Sequence, residues 1–329
     1  MSDAHEEALL KFATLDFNIV QALHHNEIGQ ITQWWNELNT MKMSRFIKSR
    51  VVEYFFLVVM AYFEPDYSEA RMLATKLTHL ITSIDDAFDN YGTMKELELF
   101  MDAIERLDPD YIDMLPEYMK LIFNNLLNFL CEIEQRTKEQ PYIIFHIKKE
   151  LKRLVKGFLD EAKWSYEEHE PTVEEYMKVA IITVGGIVLP VICFTGMGVL
   201  ATEEALQWVA SLPRIVEAAA TISRIMDDLS PSKVEELHSP TVVKCYIKQY
   251  GVSEMQAKSI LKNEVKNAWK DINEEFIKGI GITIPKPILR CILNHARASY
   301  IFGKIGDVLE NPDIAKTIMS SLFIDPIIV

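Results

Sequence analysis

Three aspartates, Asp85, Asp86 and Asp89, close a run of residues, "MLATKLTHLI", whose apolar spacing suits a helix packed into a core. Asp85 and Asp89 are four apart, so on a helix they share a face with Cα atoms about 6 Å apart. Two carboxylates so placed repel each other and destabilise the helix unless a cation bridges them. A second acid cluster closes another apolar stretch: Asp227, Asp228, Glu235 and Glu236 in "TISRIMDDLSPSKVEE". Mg2+ takes hard oxygen ligands, commonly one or two carboxylates completed by water and substrate phosphates. Two carboxylate-tipped helices facing each other across a cavity would clamp Mg2+ to a diphosphate. For either cluster alone, a solvated helix end is an equal alternative. The D-x-[DN]-x-[DN]-G spacing of a calcium loop is absent.

The elements that must position these acids are helical. Gly and Pro are scarce, at 12 and 13 in 329 residues, and strand alternation is hard to find. "EALLKFATLDFNIVQALHHNEIGQITQWW" repeats apolar residues at three and four, and "RVVEYFFLVVMAYF" is apolar almost all round, which predicts deep burial. Gly92 marks a stop, and Thr93 with Glu96 predicts a capping box that opens the next helix. Similar patterns continue to "PKPILRCILNHARASYIFGKI". No fixed-period repeat or compositional linker divides the chain. The expectation is an all-α fold of about a dozen helices in a single domain over residues 1–329.

Composition narrows the function classes. A net charge of −14 argues against nucleic acid, whose phosphates need Lys and Arg. At 49% hydrophobic the chain is too apolar for disorder and ample for a large core. Cys131, Cys193, Cys245 and Cys291 lie far apart without metal spacing, so four buried thiols in a reducing compartment are expected. The start shows no signal or transit pattern, which gives a cytoplasmic expectation. Residues 180–201, "AIITVGGIVLPVICFTGMGVLA", reach membrane-span length without a charge. Gly185, Gly186 and Pro190 interrupt them, so a broken core helix is expected rather than stable membrane insertion.

"DDAFDNYGTMKELELFMDAIERLDPDYIDMLPEYMK" resembles the DDxxD segment of plant class I terpene synthases together with the stretch downstream of it. "RVVEYFFLVVMAYFEPDYSEAR" resembles the stretch upstream. "KVAIITVGG", "ISRIMDDL", "KCYIKQYGVSEMQA" and "AWKDINEEF" are similar to later stretches in the same order. The resemblance runs over essentially the whole chain and leans toward angiosperm sesquiterpene synthases. It implies an all-α fold around a deep apolar pocket, three Mg2+ ions (Mn2+ as a substitute) and a monomer acting on an isoprenoid diphosphate, with farnesyl diphosphate favoured. An allylic carbocation would form and be cyclised or quenched, as in a carbon–oxygen lyase. By motif, Asp85, Asp86 and Asp89 match the first metal site, with Asp85 and Asp89 as direct ligands. Asp227 and Glu235 match the ends of the second, with Asp228 beside the first. Arg224 and Arg50 match diphosphate-binding arginines, and Arg50 stands 35 residues before Asp85 as the family spacing requires.

The chain also departs from that pattern. Lys48 replaces the first arginine of an R-x-R loop, keeping charge but losing bidentate geometry. Leu57 stands where many relatives carry a pocket Trp. Pro231 falls where the second motif wants a hydroxyl ligand, which proline lacks. Ser230 or Ser232 could supply it from a neighbouring position. The frame could instead slip to Asp228, Ser232 and Glu236, or Ser232 and Glu235 could simply cap a new helix. The frame ending at Glu235 is favoured. The loop "SYIFGKIGDVLENPD" lacks the family's Asp-Gly-Tyr lid; Asp307 and Lys304 stand there instead, and Tyr300 is a candidate pocket aromatic or a core residue. The N-terminal helical domain of plant relatives is expected to be absent. Three further readings stay open: a monoterpene synthase using geranyl diphosphate, a chain-elongating prenyl transferase, and a non-catalytic protein that binds prenyl diphosphates. A second DDxxD, which elongation wants, is missing.

Overall fold

Apolar residues at three- and four-residue spacing fold into fourteen α-helices among the described residues, with no strand. The computed structural model describes residues 2–38, 49–230, 240–278, 284–306 and 312–328. The helices are α1 (Ser2–Glu37), α2 (Val51–Ala61), α3 (Ser68–Asn90), α4 (Met94–Arg106), α5 (Glu117–Arg136), α6 (Pro141–Tyr166) and α7 (Val173–Thr183). They continue as α8 (Val188–Thr195), α9 (Glu203–Ala210), α10 (Arg214–Asp228), α11 (Val242–Tyr250), α12 (Glu254–Lys278), α13 (Lys286–Ile305) and α14 (Lys316–Phe323).

Helix α3 is the hub of the first half. Its stripe of Leu73, Leu77, Leu80, Ile84 and Phe88 is buried, and it packs on α2, α5, α6 and α8. Helix α10 does the same for the second half, against α7, α12 and α13 through Ile215, Ile222 and Ile225. Helix α6 lies between these hubs, packed on both α3 and α7. The nearly all-apolar α2 is buried on several faces, through Tyr54, Phe55, Phe56, Val58 and Val59.

Two local features set the positions of α3 and α10. At α3, the fully buried Arg71 guanidinium makes two 2.8 Å bonds to Glu27 of α1 and a 2.7 Å bond to the Tyr62 carbonyl. This bidentate pair locks α1 to the start of α3. At α10, a Cβ on Gly303 of α13 would stand 2.9 Å from Met226 Cβ and 3.0 Å from its carbonyl oxygen. Glycine there lets α13 approach the turn that carries Asp227, and a 2.8 Å bond between the Ser223 and Ser299 hydroxyls closes the same seam.

The apolar stretch from 180 onward is a broken core helix, as expected. Val173–Thr195 is long and apolar enough to cross a membrane, yet 67% of its most apolar window is buried. Gly185 at φ +80° makes the break between α7 and α8, a conformation other residues adopt at a cost. Of the four cysteines, three are buried; Cys131 is exposed on the outer face of α5, where the Gln135 amide donates to its sulfur at 3.4 Å.

Candidate active site

The capping box at Thr93 is formed: Thr93 N–H donates to Glu96 Oε2 at 2.9 Å and Glu96 N–H to Thr93 Oγ1 at 3.4 Å. Together with a 2.9 Å bond from Gly92 N–H to the Ala87 carbonyl, it pins the end of α3. Asp85, Asp86 and Asp89 occupy the last two turns of α3, the first two half-buried and Asp89 exposed. Acids at a helix C-terminus oppose its dipole, so the arrangement favours a cation nearby.

One cation comes from Arg50, just before α2. Its Nη1 lies 3.8 Å from Asp86 Oδ2 and donates to the Tyr54 hydroxyl at 3.3 Å. Burial pushes the Tyr54 phenol up to about 12, so it stays neutral. The Tyr54 ring meets His79 edge-on at 4.5 Å, and His79 stacks on Trp35 at 4.5 Å. Burial, helped by the Arg50 charge, takes His79 down to about 3. The wall behind Arg50 is therefore aromatic and uncharged.

The second cluster closes α10. Arg224 stands one turn before two acids that packing separates: the Asp227 side chain is 45% exposed and that of Asp228 only 1%. Arg224 Nη2 contacts both, reaching Asp228 Oδ1 at 2.5 Å. Asp228 Oδ2 accepts from the Tyr176 hydroxyl at 2.8 Å and from Val242 N–H at 2.7 Å. Burial pushes the Asp228 carboxyl up while the Arg224 charge pulls it down.

Glu161, on α6, links the two clusters. The Thr183 hydroxyl donates to it at 2.8 Å. Its carboxyl is pushed up to about 7, chiefly by burial; Arg224 pulls it down, while Asp89 and Asp228 push it further up. Glu161 thus feels the acids of α3 and of α10 together. Sequence reasoning missed it. The available signal was its place on the apolar stripe of α6, at helical spacing after Leu154 and Phe158.

The structure thus joins Asp86 to Arg50, and Asp227 and Asp228 to Arg224, and brings Asp89 and Asp228 within electrostatic reach of Glu161. Asp85 lies one turn before Asp89 on the same face of α3. Tyr300 stands edge-on to Trp269 at 6.0 Å with Lys304 Nζ 4.8 Å from its ring centre, on the seam between α12 and α13. Lys48, Pro231, Ser232, Glu235, Glu236 and Asp307 lie outside the described residues. A cavity of about 370 Å3 lined by Trp164, His169, Lys244, Cys245 and Lys248 includes none of the candidate metal or phosphate residues in its lining.

The donor set fits a hard divalent cation. It is built from carboxylate oxygens, and the repulsion from Asp89 and Asp228 that adds to burial in raising Glu161 is relieved by added positive charge. Among the described residues no three His, Cys, Asp or Glu side chains converge into a closed metal cluster.

Comparison with known proteins shows the family. Residues 36–271 match the family described as terpene synthase family, metal binding domain. A sesquiterpene synthase of Santalum austrocaledonicum is 42% identical over 99% of this chain and 59% of its own length. The chain thus spans less than two thirds of that relative. Isoprene synthase from grey poplar leaves (Populus x canescens), solved with three Mg2+ ions and dimethylallyl-S-thiolodiphosphate, superposes with a TM-score of 0.88 at 30% identity. That match covers 97% of this chain and 62% of the other. A limonene synthase solved with 2-fluorolinalyl diphosphate gives a TM-score of 0.90 at 29% identity, over 97% and 60% of the two chains.

Proposed function

The chain belongs to the terpene synthase family, and on that premise we propose that it ionises farnesyl diphosphate to an allylic carbocation and cyclises or quenches that cation to a sesquiterpene. The observation that carries this reading is that Asp89 of α3 and Asp228 of α10, the latter paired with Arg224, both lie within electrostatic reach of Glu161. The curated relatives, sesquiterpene synthases at about 40% identity, support farnesyl over geranyl diphosphate.

Each side chain has a part in this chemistry. Arg50 and Arg224 carry permanent charge and present several donors, which suits them to the oxygens of a diphosphate. They are held in place by Asp86 on one side and by Asp227 and Asp228 on the other. Asp85 and Asp89 on α3, and Asp227 on α10 with Ser232 and Glu235, would hold Mg2+. Bound Mg2+ supplies Lewis-acid neutralisation of the departing diphosphate. The neutral wall of Tyr54, His79 and Trp35 adds no positive charge beside Arg50, and aromatic faces suit a carbocation by about 0.5–2 kcal/mol each.

Asp85→Ala tests this reading. Product from farnesyl diphosphate and Mg2+ should vanish while the far-UV circular dichroism spectrum stays helical. Normal turnover by that variant would remove Asp85 from the metal site and take the reading with it.

A further inference from the structure

Asp228 has its carboxylate committed on both oxygens. Oδ1 faces Arg224 at 2.5 Å, and Oδ2 accepts from Tyr176 Oη at 2.8 Å and from Val242 N–H at 2.7 Å. These contacts join three helices: Tyr176 lies on α7, Asp228 closes α10, and Val242 opens α11. A helix start leaves backbone N–H groups without intrahelical acceptors, and Asp228 satisfies one of them for α11. Residues 228 and 242 also bracket the segment that holds Ser232 and Glu235. The hydrogen bond from Val242 to Asp228 therefore joins the end of α10 to the start of α11.

We propose that Tyr176 is a positioning residue for the diphosphate site: its hydroxyl fixes the Asp228 carboxylate, which aims Arg224 and joins α10 to α11. The inference rests on the terpene synthase reading, in which Arg224 meets the diphosphate. It assigns Asp228 a different task from the metal ligation expected beside Asp227. Asp227, with its half-exposed side chain, stays available to a cation; Asp228, buried, ion-paired with Arg224 and hydrogen-bonded by Tyr176 and Val242, sets geometry. Tyr176 is itself buried, and burial is the main reason its phenol keeps its proton and remains a donor. Its ring lies 6.4 Å from Trp164 at a tilt, so the hydroxyl is aimed by packing as well as by the bond it makes. Loss of the hydroxyl would leave Asp228 with one fewer donor and free its carboxylate to turn about Cβ–Cγ, and Arg224 would follow it.

The test is titration calorimetry of inorganic diphosphate in MgCl2 into the native protein, Tyr176→Phe, Arg224→Gln and the double variant, with a thermal melt of each. Native protein should bind. Tyr176→Phe, which keeps the ring and its packing, should bind about tenfold more weakly, as expected for a lost bond to a charged group. In the Arg224→Gln background the same change should cost little further affinity, because residues acting through one another are not additive. Steady-state KM should rise in step with the weaker binding. Two results would overturn the inference: a lower melting temperature with native affinity, or equal losses in both backgrounds, since either describes a residue that only supports the fold. Native protein that does not bind diphosphate at all would remove the functional reading first, and this inference with it.

Discussion

Replacing Glu161 by Gln tests whether the acids of α3 and α10 share one field. In the folded protein the Glu161 carboxyl is pushed up to about 7 from an ordinary 4.5. A folded state that holds a proton more tightly than the unfolded chain is stabilised below the unfolded value. That stabilisation is lost as pH rises through 4.5 to about 7. At about 1.4 kcal/mol per pH unit, the ceiling on the loss is about 3 kcal/mol. Glu161 is half-buried, so solvent reduces the figure, and about 1–3 kcal/mol is expected. Gln keeps the shape and cannot ionise. Urea unfolding of both proteins in chelator from pH 4.5 to 8 should therefore show the variant gaining on the native protein by that amount, most of it below pH 7. With Mg2+ and inorganic diphosphate added, the window should move to lower pH, because a nearby cation favours the carboxylate. A stability difference that is flat with pH, or that favours the native protein as pH rises, would refute the burial of Glu161 beside the acids of α3 and α10.

Two further substitutions probe what holds the helices. Glu27→Ala leaves the buried Arg71 guanidinium without its carboxylate, and urea unfolding should show a loss of about 3–5 kcal/mol; a loss under about 1 kcal/mol would mean that α1 does not depend on this pair. Gly303→Ala drives a methyl into Met226, so about 1–3 kcal/mol should be lost in thermal unfolding, with slower turnover because Asp227 is the next residue. Unchanged stability would mean that the α10–α13 seam yields more easily than its close contact implies.

The acids at 85, 86, 89, 227 and 228 were legible in the sequence because like charges gathered at the end of an apolar helix are costly without a use. The helices were legible from spacing, the start of α4 from Thr93 and Glu96, and the break after α7 from its glycines. What Asp227 and Asp228 each do was not legible. Neighbours on a helix point about 100° apart, so only packing decides which turns inward. Asp228 falls three residues after the buried Ile225 and joins the core side, and only the fold brings Tyr176 and Val242 to it. Glu161 and the pair of Glu27 with Arg71 escaped for the same reason. Each is a single charge within an amphipathic helix, and its partner comes from another element, 44 residues away for Arg71 and 22 for Thr183 on Glu161.

The most direct measurement is product analysis by gas chromatography–mass spectrometry after incubation with farnesyl and, separately, geranyl diphosphate, each with Mg2+ and with chelator. The expected result is a C15 hydrocarbon or alcohol from farnesyl diphosphate that disappears with chelator, and little from geranyl diphosphate. A folded, helical sample that yields no metal-dependent product from either substrate would contradict the synthase reading and leave the paired carboxylate clusters as a site for binding diphosphate alone.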